Sequence, residues 1–454
     1  MAQHSKFLRV ILIFLIILEI GLSINWVLVQ QTKTVLFYLF SFGSVILLIV
    51  ISLKVKHQLL NKVLTIIFIY LIITETVLEL LGWMGWLPGI NFSYPIPYGR
   101  HYHTNEASAN GVMNRYGWYY PGITSDDSNN IILIGDSYVE GGQIIKTDNI
   151  GKIVEQQMVT SNPGRHCQVI SLGYGGSGPA QYLELTKYSI KHFHPKAIVI
   201  FLFMGNDFSN VLESRKKSAF EYITYLLDQD TKNIKIHPES KFAIESFNNQ
   251  LEARHKNILL HVPFSIVSNL MLPQVIRSIS NGISSRNKKV SISNLSSRPE
   301  SDFLNVGLEP FVFKTDSFSI REKSILITEQ LLLKCYKIAF ENNIEFMVVT
   351  IPWFSNSFYD QSSADWVTKY DGFDLLLPEE ELITWAQQNK VHFLAMGHYM
   401  KDKRLTPNQV KKIYLGGTGH FSKFGHDYFG RVVAHELNLK QDSMKTANSP
   451  SPMY

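Results

Sequence analysis

The sequence predicts an α/β domain in three layers, a parallel sheet between helices, placed behind three membrane-spanning helices. Three observations predict it. Short β-branched runs alternate with helix-like stretches over the C-terminal two thirds. Glycine and polar residues gather at the ends of those runs, and three long apolar stretches crowd residues 1–87. Composition bounds the rest: with 454 residues, 45% hydrophobic and 18% charged, the chain has too much apolar side chain for general disorder. Its two cysteines, Cys167 and Cys335, exclude a disulfide-stapled scaffold. The net charge of +5 is spread without a basic patch, so nucleic acid is not an expected partner.

The membrane module comes first. Phe7 to Val29, Val35 to Leu53 and Val63 to Leu81 are each long enough to cross a bilayer at about 20 apolar residues per crossing. Three runs in succession do not fit a cleaved signal peptide. Lys6 and Arg9 flank the first run and Lys54, Lys56 and Lys62 fill the second link, against Lys33 alone in the first, so the N-terminus is expected on the cytoplasmic side. Everything after Leu87 is then extracytoplasmic, with Trp83 and Trp86 at the outer interface. Glu19, Glu75 and Glu79 lie in or near the apolar runs; they either serve a function or sit protonated, hydrogen-bonded or at the headgroups.

Residues 88–130, rich in Gly, Pro, Tyr and Asn, read as an irregular leader. The α/β domain is assigned to residues 131–437, with strands expected at Ile131–Ile134, Gln168–Leu172, Ala197–Phe203, Ile344–Ile351 and Val391–Ala395. In such a sheet the chemistry lies at the carboxyl ends of the strands. An insertion at about 208–317 breaks the pattern. Its Ser- and Asn-rich part, residues 278–301, reads as a flexible loop, and FEYITYLLDQ and HVPFSIVSNLMLPQVI read as short helices that either cap a cleft or decorate the surface. Residues 438–454 read as a disordered tail.

Four runs carry the chemistry. In IILIGDSYVEGG a strand ends in Gly135, Asp136 and Ser137, a turn that exposes a serine hydroxyl at a helix start, although an ordinary Asp or Ser helix cap reads the same way. QVISLGYGGSGPAQYL sets glycines, among them Gly176, directly after a strand, where backbone NH groups can approach a ligand. AIVIFLFMGNDFSN ends a buried strand with Asn206 and Asp207, and an uncharged amide such as Asn206 suits a developing oxyanion. IYLGGTGHFSKFGHDYFG supplies His420 and His426, one of which should be a general base, while His435 reads as a surface residue. The spacing of the two histidines does not match paired metal ligands, so neither metal nor cofactor is expected.

Jointly these runs resemble the SGNH subgroup of the GDSL esterase and lipase family, over roughly residues 114–437 without most of the insertion. The resemblance implies a flavodoxin-like sheet, the SGNH hydrolase fold. It matches Ser137 to the nucleophile, Gly176 to the glycine of the second block, Asn206 to the asparagine of the third and His420 to the catalytic histidine. It leaves His426 without a catalytic counterpart. NRYGWYYPG, from Asn114, is similar to a segment that often precedes Gly-Asp-Ser in membrane-anchored members. One position departs: the family's aspartate two or three residues before the histidine is here Thr418 or Gly417. Either a Ser–His dyad operates, with a backbone carbonyl or Thr418 holding the ring, or a carboxylate arrives from elsewhere, or the domain only binds.

The expected reaction is acyl transfer through a Ser137 acyl-enzyme, with His420 as base and the oxyanion held by the NH groups of Ser137 and Gly176 and the Asn206 side chain. Asp136 and Asp207 are expected to hold the turns. A tether and an extracytoplasmic face favour an O-acyl ester, of the O-acetyl kind, on an envelope glycan, and a transferase would need a membrane acyl-donor partner. The alternatives are a lipid esterase or lysophospholipase, and an inactive glycan-binding protein of the same fold.

Overall fold

The structure, a computed structural model, describes residues 92–96, 99–103, 108–112, 118, 130–161, 163, 167–212, 223–228, 231, 233–256, 310–313, 318–353, 374–417 and 419–447. The three expected membrane crossings, with Glu19, Glu75 and Glu79, lie outside these residues, as do Asn114 and Thr418. Among the described residues no helix is long and apolar enough to cross a membrane.

The centre is a five-stranded sheet of β4 (Asn130–Gly135), β5 (Gln168–Gly173), β6 (Ala197–Phe203), β9 (Glu345–Ile351) and β10 (His392–Leu394). All neighbours are parallel, in the spatial order β10-β9-β6-β4-β5. Ranked along the chain from the β5 edge, that order is the doubly wound 2-1-3-4-5 arrangement, with its switch point between β4 and β6. Every residue of β4 and β6 is buried, which is why both strands read as unbroken apolar runs instead of alternating ones.

Right-handed crossovers place the helices. The connection from β4 to β5 runs toward one edge through α1 (Ser137–Glu140) and α2 (Ile150–Ser161). The return through α3 (Pro179–Phe193) to β6, then onward past α4 (Asp207–Asn210), runs the opposite way, so α2 and α3 cover opposite faces. The long helix α6 (Phe318–Glu341) packs beside α3, and the last described helix, α10 (Lys423–Ala447), packs beside α2. Between them come α7 (Leu377–Asn389), α8 (Met396–Asp402) and α9 (Pro407–Ile413). Tyr182 of α3, Phe201 of β6 and Phe429 of α10 are fully enclosed, filling the space between sheet and helices from both sides.

Three expectations change. The leader is not wholly irregular: β1 (Phe92–Ile96), β2 (Gly99–His103) and β3 (Ser108–Val112) form an antiparallel meander. Pro95, which argues against a strand, sits on the edge strand β1, where proline is tolerated. Within the insertion, FEYITYLLDQ supplies a strand, β7 (Tyr225–Leu227), paired with β8 (Ile234–Ile236), in keeping with its β-branched and aromatic residues; α5 (Ser240–Lys256) follows. The segment HVPFSIVSNLMLPQVI and residues 278–301 lie outside the described residues. At the C-terminal end α10 runs on to Ala447, past the boundary drawn at Leu437, because Leu, Lys, Gln, Met and Ala in that stretch are good helix formers and the first proline comes at Pro450.

Candidate active site

The turn after β4 is built to present Ser137. Gly135 packs so close to α1 that a Cβ there would lie 2.4 Å from the Val139 side chain. Asp136 caps α1, its carboxylate accepting the Tyr138 NH at 2.9 Å. The helix lasts one turn and closes at Gly141 (φ +60°), whose NH donates to the Ser137 carbonyl at 3.0 Å. Ser137 is left half-exposed at the carboxyl end of the sheet, beside the switch point. There its Oγ meets His420 Nε2 at 2.8 Å, across 283 residues of sequence.

His420 rides on a tight loop between α9 and α10. Tyr414 and Phe421 form an antiparallel bridge, the Leu415 NH donates to the His420 carbonyl at 2.7 Å, and the Gly419 NH donates to the Leu415 carbonyl at 2.9 Å. The Tyr414 hydroxyl anchors the loop to the carbonyl of Pro352, just past β9. Tyr138 braces it from the nucleophile side. Its hydroxyl donates to the Gly419 carbonyl at 3.1 Å, and its ring, 5.2 Å from that of His420, packs against Phe203 and Phe421.

The glycine loop after β5 is stitched to the same turn. The Tyr174 NH and the Ser177 hydroxyl both donate to the Gly135 carbonyl, at 3.0 and 3.2 Å. The Gly175 NH donates to Glu140 Oε2 at 3.1 Å, and Gly176 adopts φ +77°, a left-handed conformation that favours glycine. After β6, Asn206 caps α4 through its carbonyl, which accepts the NH groups of Ser209 and Asn210 at 3.0 Å. Its side chain makes no capping bond, and its Oδ1 is buried without a partner.

Beneath the site lie two buried carboxyls. Burial lifts Asp136 from its usual carboxylate range to about 6, against the opposing pull of the Tyr138 NH and the His420 charge. Asp207 is pushed well above its usual range, first by burial and then by the Asp136 charge, although its Oδ2 accepts the Tyr182 hydroxyl at 2.9 Å and the Phe203 NH at 2.8 Å. Asp136 thus bonds within its own turn, and Asp207 ties the turn after β6 back to Phe203.

The two loop histidines separate in role. His426 is buried, its Nδ1 accepts the Ile150 NH at 3.2 Å at the start of α2, and burial followed by the charge of His420 lowers it to about 3. It is a neutral structural acceptor. His435 is exposed on α10, as its helical setting predicts. The structure thus joins Ser137 with His420 and brings the glycine loop against α1, Gly175 packing beside Ser137. Sequence reasoning missed Tyr138 and Glu140. Their only local signal is their place in Ser-Tyr-Val-Glu, one and three residues past the nucleophile.

No protein-family model and no curated protein matches the chain. Among solved structures it is similar to a protein of the G-D-S-L family from Desulfitobacterium hafniense, at 10% identity and a TM-score of 0.32, over 68% of this chain and 98% of that one. It is similar to a GDSL-like lipase from Bacteroides thetaiotaomicron, at 10% identity and a TM-score of 0.32, over 70% and 93% of the two chains. It is also similar to a lipase/acylhydrolase from Enterococcus faecalis, at 11% identity and a TM-score of 0.32, over 69% and 96%.

Proposed function

We propose that the chain is an ester hydrolase of the SGNH/GDSL type, acting through an acyl-enzyme on Ser137. The observation that carries this reading is the 2.8 Å contact between Ser137 Oγ and His420 Nε2, a hydroxyl and an imidazole held together by loops from opposite ends of the domain. In the proposed reaction His420 takes the hydroxyl proton as Oγ attacks the ester carbonyl, then returns it to the departing alcohol as the tetrahedral intermediate collapses. Water repeats the sequence on the acyl-enzyme, releasing the acid and restoring Ser137.

The negative oxygen of each tetrahedral intermediate is assigned to the NH groups of Ser137 and Gly176 and the amide of Asn206. Support comes from the stitching of the glycine loop to α1 and from an Asn206 side chain that is not spent on capping α4. Tyr138 and the hydrogen bonds within the loop hold His420 in place.

For substrate, the reading is an O-acyl ester, of the O-acetyl class, on an extracytoplasmic glycan, with the domain tethered to the membrane. The three apolar runs before Leu87 and the distribution of cations around them support this assignment. Acyl transfer to a second alcohol instead of water would follow the same chemistry, with a membrane partner supplying the donor. The test is labelling by a fluorophosphonate of wild type, Ser137→Ala and His420→Ala. Label on the wild type and on neither variant supports the assignment, whereas an unlabelled wild type rejects it in favour of a binding protein of the same fold.

A further inference from the structure

Glu140 stands one helical turn beyond Ser137, and its carboxylate reaches across to the glycine loop, where Oε2 accepts the Gly175 NH at 3.1 Å. The approach depends on a missing side chain. A Cβ at residue 175 would lie 2.7 Å from Glu140 Oε2 and 3.8 Å from Ser137 Cβ, so the loop passes against both residues at once. On either side of Gly175 the loop is tied to Gly135, through the Tyr174 NH and the Ser177 hydroxyl. Glu140 ties the middle.

That middle tie bears on the aim of the next NH. Glycine has no Cβ to restrict its own rotation. A tether on the Gly175 nitrogen anchors the Tyr174–Gly175 peptide plane, so that the next peptide, which carries the Gly176 NH, is built out from a held base. We propose that Glu140 is a positioning residue for the oxyanion site, acting through Gly175 and touching no reacting atom; the inference rests on the reading of Ser137 as nucleophile. A carboxylate beside a developing oxyanion is electrostatically adverse, so its contribution is that of a hydrogen-bond acceptor and not of a charge. Glutamine, which keeps the acceptor oxygen and removes the charge, should therefore replace it, and alanine should not.

The test uses the full chain, with hydrolysis of 4-nitrophenyl acetate and the rate of fluorophosphonate labelling as readouts. Glu140→Ala is expected to lower kcat about tenfold to a hundredfold, the scale of a small misplacement at a reacting centre, with KM nearly unchanged. Glu140→Gln is expected to recover most of the loss. Gly175→Ala, whose methyl group displaces the same carboxylate, should be similarly impaired, and adding Glu140→Ala to it should lower kcat no further. A labelled wild type together with a fully active Glu140→Ala overturns the inference alone. So does a Glu140→Gln as impaired as the alanine variant, or an alanine loss that follows a collapse of the thermal unfolding midpoint. A wild type that neither labels nor turns over instead sinks the hydrolase reading itself.

Discussion

The side chain next to the nucleophile holds the loop of the base: the Tyr138 hydroxyl donates to the Gly419 carbonyl at 3.1 Å, one residue before His420. Serine and imidazole are therefore registered to each other by a neighbour of each. Tyr138→Phe removes this bond while keeping the ring against His420, Phe203 and Phe421. The expected cost is about 1 kcal/mol of stability, the usual worth of one neutral hydrogen bond, with a drop of several-fold in kcat as the base loosens. Stopped-flow ester hydrolysis and chemical denaturation measure the two, and wild-type kcat in the variant would exclude the bracing role.

Asn206 should separate activity from stability. Its side chain makes no capping bond, and its Oδ1 is already buried without a partner, so truncation removes little that the fold uses. Asn206→Ala is expected to lose about a hundredfold to a thousandfold in kcat, the range for one oxyanion donor, with stability changed by less than about 0.5 kcal/mol. Turnover and a urea titration on the same preparation decide it. Full activity in the variant would remove Asn206 from the oxyanion site.

Asp136 makes stability depend on pH in a particular direction. Its carboxyl titrates at about 6 in the folded protein, against an ordinary value of 3.8 for an unrestrained aspartate. Between these values the folded state binds more protons than the unfolded one, so stability falls as pH rises through that window. Asp136→Asn keeps an oxygen for the Tyr138 NH and carries no charge to bury. The variant should gain on the wild type as pH rises from 4 to about 6.5 and then hold its advantage. Denaturation midpoints across that range check it; a gap independent of pH contradicts it.

His426 gives the opposite slope. Folded, it titrates at about 3, far below its ordinary 6.5, so the unfolded state binds the extra proton and stability falls as pH drops from about 6.5. His426→Asn can still accept the Ile150 NH but leaves a cavity beside Phe421, at a cost of about 2 kcal/mol at pH 7. That deficit should shrink on acidification toward pH 4. The variant should still take the fluorophosphonate label, since His420 alone is assigned as base.

Much of the sheet was legible because parallel strands buried on both faces are written as continuous apolar runs. Ile131–Ile134, Gln168–Leu172 and Ala197–Phe203 correspond closely to β4, β5 and β6. Ser137 and His420 were legible through joint motif order. The roles of Tyr138, Glu140 and His426 were not, because each depends on a partner distant along the chain: Gly419, Gly175 and Ile150. Nothing in the local spacing of Ser-Tyr-Val-Glu encodes where those partners arrive. The meander at 92–112 escaped notice for a different reason: its strands are short and rich in glycine and polar residues, a composition shared with loops.

The separation of 283 positions between Ser137 and His420 also bears on when the proposed site is completed. A contact of such long range is among the last to close as a chain emerges from the ribosome and condenses, since every intervening strand must be in place before the loop ahead of α10 can dock. A partly synthesised polypeptide therefore carries its serine without its partner. Covalent capture of Ser137 by a suicide probe becomes a stopwatch for the final docking event, reporting completion where spectroscopic signals of helix and sheet have already levelled off.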